Sequence, residues 1–195
     1  MSVRAGLRIS DHARASILVL EVSVFDLLHV VLRLVHIGAG ILWVGGAVVF
    51  FSFVEPTAAE LGPDAEKFME RVIVRRKLPI YFLVLSLLTV LGGLILYWID
   101  SNGLQATWIG TPFGLALTIG GIAGLIAFVG GNLLIKSNVE KLAEVGAAIK
   151  AAGGPPSEAL LREMHDVQAR LHSVGVWDTV ILAVAVIAMA SARYL

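Results

Sequence analysis

The chain has 195 residues, 57% of them hydrophobic and only 15% charged, and its mean hydropathy is +0.86. Soluble domains are roughly 45–50% apolar even with glycine counted, so this composition excludes an ordinary soluble fold and predicts a membrane protein. Lys and Arg balance Asp and Glu, and no long basic run occurs, which excludes nucleic acid as a partner. Cysteine is absent, which removes thiolate metal sites, disulfides, cysteine nucleophiles and covalent CxxCH haem attachment. Any metal or haem must be held by His, Met, Asp, Glu or Asn.

In chain order, residues 1–28 read as an N-terminal tail with a lead-in. The apolar stretch 15–25 is interrupted by Glu21, and 16–28 is expected to be an interfacial or frayed helix. Basic residues precede it, but no small-residue cleavage site follows, so it is not read as a signal peptide. Residues 29–195 form the membrane domain. A hydrocarbon core of ~30 Å needs ~20 helical residues, and four apolar runs meet that length, at about 31–54, 78–99, 111–135 and 173–192. The expectation is an all-α, four-transmembrane-helix bundle.

The connectors have patterns of their own. EKFMERVIVRRK, residues 66–77, is charged on one face and apolar on the other. Residues 137–154 read as a second amphipathic helix with Asn138 as its candidate cap. Ser157 is expected to cap a long helix running into the fourth span, with Leu160, Met164, Val167, Leu171 and Val174 as its apolar stripe.

Lys67, Arg71, Arg75, Arg76, Lys77, Lys136, Lys141, Lys150, Arg162 and Arg170 all lie in these two connectors, whereas the opposite side holds Arg4, Arg8, Arg14 and Arg193. Cations near span ends favour the cytoplasm, so the connectors are predicted to be cytoplasmic and both termini outside, in a plasma (inner) membrane. Trp98 and Trp108 flank the short outer loop as interfacial aromatics do.

Within HVVLRLVHIGAGILW, residues 29–43, an otherwise apolar span carries two histidines and an arginine. A charged side chain at the bilayer centre costs at least ~2.5–3.5 kcal/mol, so such groups are either functional or paired. Positions three and four apart share a helix face, which puts Asp26, His29, Arg33, His36, Gly40, Trp43 and Ala47 on one side. Val30, Val31, Leu34, Val35, Ile37, Ile41 and Leu42 are left for lipid or other helices. His29 and Arg33 then lie at the interface, where Asp26 is expected to pair with Arg33, and His36 lies ~8 Å inside a span that begins near residue 31. Gly38, Gly40, Gly45 and Gly46 open space beside His36, and Trp43 would wall a pocket over that opening.

A second polar set is expected near the cytoplasmic face: Asp178, Asn132, Lys136 and His172, with Glu55 close in depth. Asp178 needs a donor there, assigned to Lys136 or Asn132, and the set serves as a helix clamp or a proton or ion relay. In the glycine-rich third span, Gly120 and Gly124 have the four-residue spacing that permits close packing.

His36, the six residues to Trp43, and Gly45 with Gly46 resemble the first span of copper resistance protein D (CopD)-like membrane proteins. TPFGLALTI, residues 111–119, and Gly131 with Asn132 are also similar to that family. Residues 30–195 look closest to an uncharacterised integral membrane branch of that superfamily, distantly similar to HemJ-type proteins. In the latter a first-span His is functional and basic residues precede the second span, where Arg75, Arg76 and Lys77 stand here.

Departures from those patterns are informative. Residues 111–135 carry no charge where relatives tend to place a lysine, and Phe128 or Val129 stands where the HemJ type has a histidine. Only Met189 among four methionines lies in a span, which does not suit a copper relay. His29 and His36 are ~10.5 Å apart along one helix and cannot share an iron. His36 is therefore the candidate ligand for haem b or, as the alternative, a copper ion, with Arg33 suited to a haem propionate. The expected function is a cofactor- or metal-binding membrane protein linked to redox chemistry or copper transport, in a homodimer or larger membrane complex. The competing expectation is an accessory or structural subunit that binds no cofactor and uses its polar groups only for helix packing.

Overall fold

A computed structural model describes residues 11–195, with side chains from residue 24 onward apart from that of Pro63. The expectations for residues 1–10 and for side chains 11–23 lie outside the described residues. Every regular element among the described residues is helical. The first span belongs to α1 (Asp11–Val49), which passes through a π-helical turn, Phe50–Val54, into α2 (Glu55–Leu61). The lead-in is thus helical and continuous with the span.

A short connector follows, with α3 (Glu66–Glu70) and a second π-helical turn, Arg71–Arg75. It stops at Lys77, which takes the left-handed conformation, φ 55°, two residues before Pro79 opens the second span, α4 (Leu78–Asp100). The four-residue α5 (Ala106–Ile109) interrupts the next loop. The third span is α6 (Pro112–Gly130), whose start is fixed by Pro112 and by the Thr111 hydroxyl accepting from Gly114 N–H at 3.0 Å.

A third π-helical turn, Gly131–Ile135, carries α6 directly into α7 (Lys136–Ala151). No helix starts at Asn138: its amide donates back to the Leu134 carbonyl at 2.7 Å, inside a helix that never stopped. Ser157 does cap α8 (Glu158–Ser191), accepting from Leu160 N–H at 3.3 Å. At 34 residues α8 is long enough to cross the bilayer and project beyond it. On the projecting part, Val167 and Leu171 are buried, with α7 alongside.

Four helices are long and apolar enough to cross a membrane, and they pack as an all-α bundle. The bundle is made of two tight pairs, α1 with α4 and α6 with α8, which meet each other less extensively. Val30, Val31, Leu34, Val35, Ile37, Ile41 and Leu42 are all at least 39% exposed, as a lipid-facing surface must be. Ala39, Trp43, Ala47 and Phe51 of the first helix turn inward against Leu85, Ala127, Leu171 and Leu182. Of the face predicted from three-and-four spacing, Trp43 and Ala47 are buried and His29, His36 and Gly40 partly so, whereas Asp26 and Arg33 are exposed and Ala39 packs in addition.

Candidate functional site

A cavity of about 830 Å³ lies among all four spans, in the half of the bundle that holds the α4–α6 loop and the C-terminus. Its walls are largely apolar and include five glycines, Gly40, Gly45, Gly93, Gly121 and Gly124. At Gly45, Gly121 and Gly124 a Cβ would meet nothing within 4 Å, so the missing side chains are part of what makes the space. Arg33, Asp100 and Arg193 line it at the end nearest the α4–α6 loop, and Trp43 and Leu182 at its deep end. Ten residues of α1 separate Arg33 from Trp43, a depth of about 15 Å.

His36 lines this cavity about one turn below Arg33. Its Nδ1 lies 2.7 Å from the carbonyl oxygen of Thr89 on α4. A carbonyl can only accept, so Nδ1 carries a proton, and in the neutral ring Nε2 is then the nitrogen with the lone pair. Among the described residues no hydrogen bond involves Nε2. That tautomer is the one a metal-ligating imidazole adopts when its other nitrogen is held by a backbone carbonyl.

The seat of the ring is a pair of glycines on α4. A Cβ on Gly93 would stand 2.8 Å from His36 Cε1, and one on Gly92 would stand 3.4 Å from His36 Cβ. Gly92 and Gly93 thus seat the ring itself, while Gly40 and Gly45 of α1 line the cavity beside it. Of the four α1 glycines, Gly38 and Gly45 face open space, Gly40 meets Thr89 at 3.5 Å, and Gly46 meets Phe82 at 3.1 Å. The signal for the seat was the Gly-Gly pair inside an apolar run, but the register that sets it opposite His36 is a tertiary fact.

At the loop end the carboxylate belongs to Asp100. Its Oδ1 is 3.5 Å from His29 Nε2 and its Oδ2 3.9 Å from an Arg33 nitrogen. The expected Asp26–Arg33 pair does not form; Asp26 is exposed, because one helix cannot bring it to Arg33 as closely as the end of the neighbouring span brings Asp100. Below this rim Tyr97 and Thr118 are joined at 2.6 Å. Thr118 already donates to the Gly114 carbonyl at 2.7 Å, so the phenol donates to Thr118. Sequence reasoning missed Asp100, Tyr97 and Thr118, which lie toward the ends of α4 and α6 that their shared loop joins.

The second predicted cluster does not come together as one unit. His172 pairs with Glu55, Nδ1 to Oε2 at 2.7 Å, and ties α8 to the start of α2. The Asp178 side chain is buried against the backbone of α6, 3.3 Å from where a Cβ on Gly130 would lie. Neither proposed donor serves it. Asn132 donates to the Phe128 carbonyl at 2.8 Å, and Lys136 lies 3.8 Å from Glu140 on an exposed face.

No three or more His, Asp or Glu side chains among the described residues gather in a metal-binding group. The fold is that of a multi-pass membrane protein with four spans, and its most developed internal feature is the loop-end cavity with His36. Comparison with protein-family models, with curated protein sequences and with solved structures finds no match.

Proposed function

We propose that the protein binds haem b in the loop-end cavity, with His36 Nε2 as the iron ligand and Arg33 and Arg193 toward the propionates. One observation carries this reading: a single apolar cavity of about 830 Å³ contains a histidine whose Nδ1 is held by a carbonyl, and two arginines at its loop end. Cofactor pockets are roughly 300–1,000 Å³, mostly apolar, with a few placed polar groups, and this one has that character. When bound, haem would supply one-electron chemistry, while the chain holds the imidazole, neutralises the propionates and excludes water. The resemblance of residues 36–46 to CopD-like proteins supports the same histidine. A copper ion at His36 is less well supported, because the described residues give it no companion ligands.

The test is optical. Protein purified from cells supplied with haem precursor is expected to show a Soret band that disappears in His36→Ala. A colourless preparation that also fails to take up added haem would overturn the reading.

A second reading is favoured by the seat of His36 on Gly92 and Gly93: the imidazole locks α1 to α4 and the protein is a structural subunit. In that case His36→Ala lowers thermal stability with no chromophore ever present. For orientation we propose cytoplasmic connectors in a plasma (inner) membrane, from the ten cations there. The chain has no cysteine, so single cysteines placed at Ser137 and Asn102 can be labelled from one side at a time without background. A membrane-impermeant reagent applied outside should reach only the latter.

A further inference from the structure

At the opposite end of the bundle a second cavity, about 230 Å³ and almost wholly apolar, opens between α1, the connector and the start of α4. Gly46 and Phe50 form one wall, Phe68 and Val72 another, and Leu78 and Phe82 the third. Val49, Phe68 and Tyr81 on its border are exposed, so the cleft faces outward rather than into the bundle.

Between Val72 and Leu78, both of which line the cleft, the chain makes its turn through Arg75, Arg76 and Lys77. Three consecutive cations thereby fill the stretch of chain that ends at Leu78 on the cleft wall. All three are exposed, and none has a carboxylate within 4 Å among the described residues. The turn is held there by its backbone: Arg76 N–H bonds the Arg71 carbonyl at 2.8 Å, Lys77 takes φ 55°, and its carbonyl accepts from Ile80 N–H at 2.9 Å.

We infer that this cleft and its rim are a binding site for one anionic phospholipid, whose acyl chain lies against Val72, Leu78 and Phe82 and whose phosphate is held by Arg75, Arg76 and Lys77. Two independent features meet in the assignment. An apolar groove at span depth takes an alkyl chain, and unpaired cations at the end of a span take an anionic headgroup. A soluble phosphate would use the cations alone and leave the groove unexplained. Both features lie at the other end of the bundle from the cavity with His36, so this site stands or falls separately from the haem reading.

The experiment is native mass spectrometry of the full chain in detergent, titrated with dioleoyl phosphatidylglycerol and with dioleoyl phosphatidylcholine. The first lipid is expected to bind in preference, with each neutralised cation lowering its affinity about fivefold, so that Arg75→Gln with Arg76→Gln and Lys77→Gln abolishes the preference. Val72→Trp, which fills the groove and keeps every cation, is expected to weaken phosphatidylglycerol binding as well. Val72→Asn serves the same purpose should the larger side chain prevent folding. Glycerol 1-phosphate in excess is expected not to displace the bound lipid. Equal binding of the two lipids by the unaltered chain, indifference to both Val72 variants, or displacement by glycerol 1-phosphate would each overturn the assignment.

Discussion

His36 and Thr89 connect the first two spans through one hydrogen bond of 2.7 Å, and the histidine ring rests on Gly93, one turn further along the helix that Thr89 belongs to. Position and tautomer of the imidazole are therefore set by two features of α4, a carbonyl and a missing side chain. Gly93→Ala places a methyl 2.8 Å from His36 Cε1, against a ring that cannot retreat without breaking its bond. A destabilisation of about 1–3 kcal/mol is expected from such overpacking, measured by unfolding in detergent. Unchanged stability would show that the ring moves freely and is not held.

Gly120 and Gly124 share a spacing but not a role. A Cβ on Gly120 would lie 2.6 Å from Met189 Cγ and 3.1 Å from the Ala185 carbonyl, whereas one on Gly124 would meet nothing within 4 Å. Gly120→Ala is expected to destabilise the α6–α8 pair by about 1–3 kcal/mol. Gly124→Ala should instead be neutral or stabilising by up to about 1 kcal/mol, from helix propensity alone. Thermal midpoints of the two variants that moved together would contradict this division.

Phe51 lies directly on the backbone of Gly175, so close that no Cβ fits between them. Gly175→Ala should be among the most damaging single-methyl additions in the chain, and Phe51→Leu should recover part of the loss. The two changes are thus expected to be non-additive by about 0.5–3 kcal/mol in a double-mutant cycle. Additive losses would mean that the ring and the glycine do not share one packing constraint.

Glu55 and His172 form an unequal pair: the glutamate side chain is 10% exposed and the histidine 49%. Removing the histidine leaves a carboxylate buried without its partner, while removing the glutamate leaves an imidazole that water can reach. His172→Ala is therefore expected to cost more stability than Glu55→Ala, by about 1 kcal/mol or more. The reverse order in chemical denaturation would show that Glu55 is solvated by other means.

The spans, the inward face of α1 and the Ser157 cap were legible because each is a local pattern: an apolar run, a three-and-four spacing, a hydroxyl ahead of a helix. Partners across helices were not legible. Asp26 is on the face of Arg33 by spacing, yet Asp100 reaches it from another span, and nothing in either segment encodes that register. Asn132, Lys136 and Asn138 were misplaced for a further reason. Depth alone placed Asn132 and Lys136 beside Asp178 and says nothing of which way a side chain turns, and Asn138 was given a cap's role where the helix in fact runs on through the π-helical turn Gly131–Ile135.

The division of the bundle into α1 with α4 and α6 with α8 means that each tight pair is made of spans consecutive in the chain. During synthesis, then, the first helical hairpin can be complete in the bilayer before the second has left the ribosome. The 830 Å³ cavity has walls from both hairpins and does not exist until they meet. A change that keeps the two hairpins apart therefore leaves each with half of the wall and neither with an enclosed space.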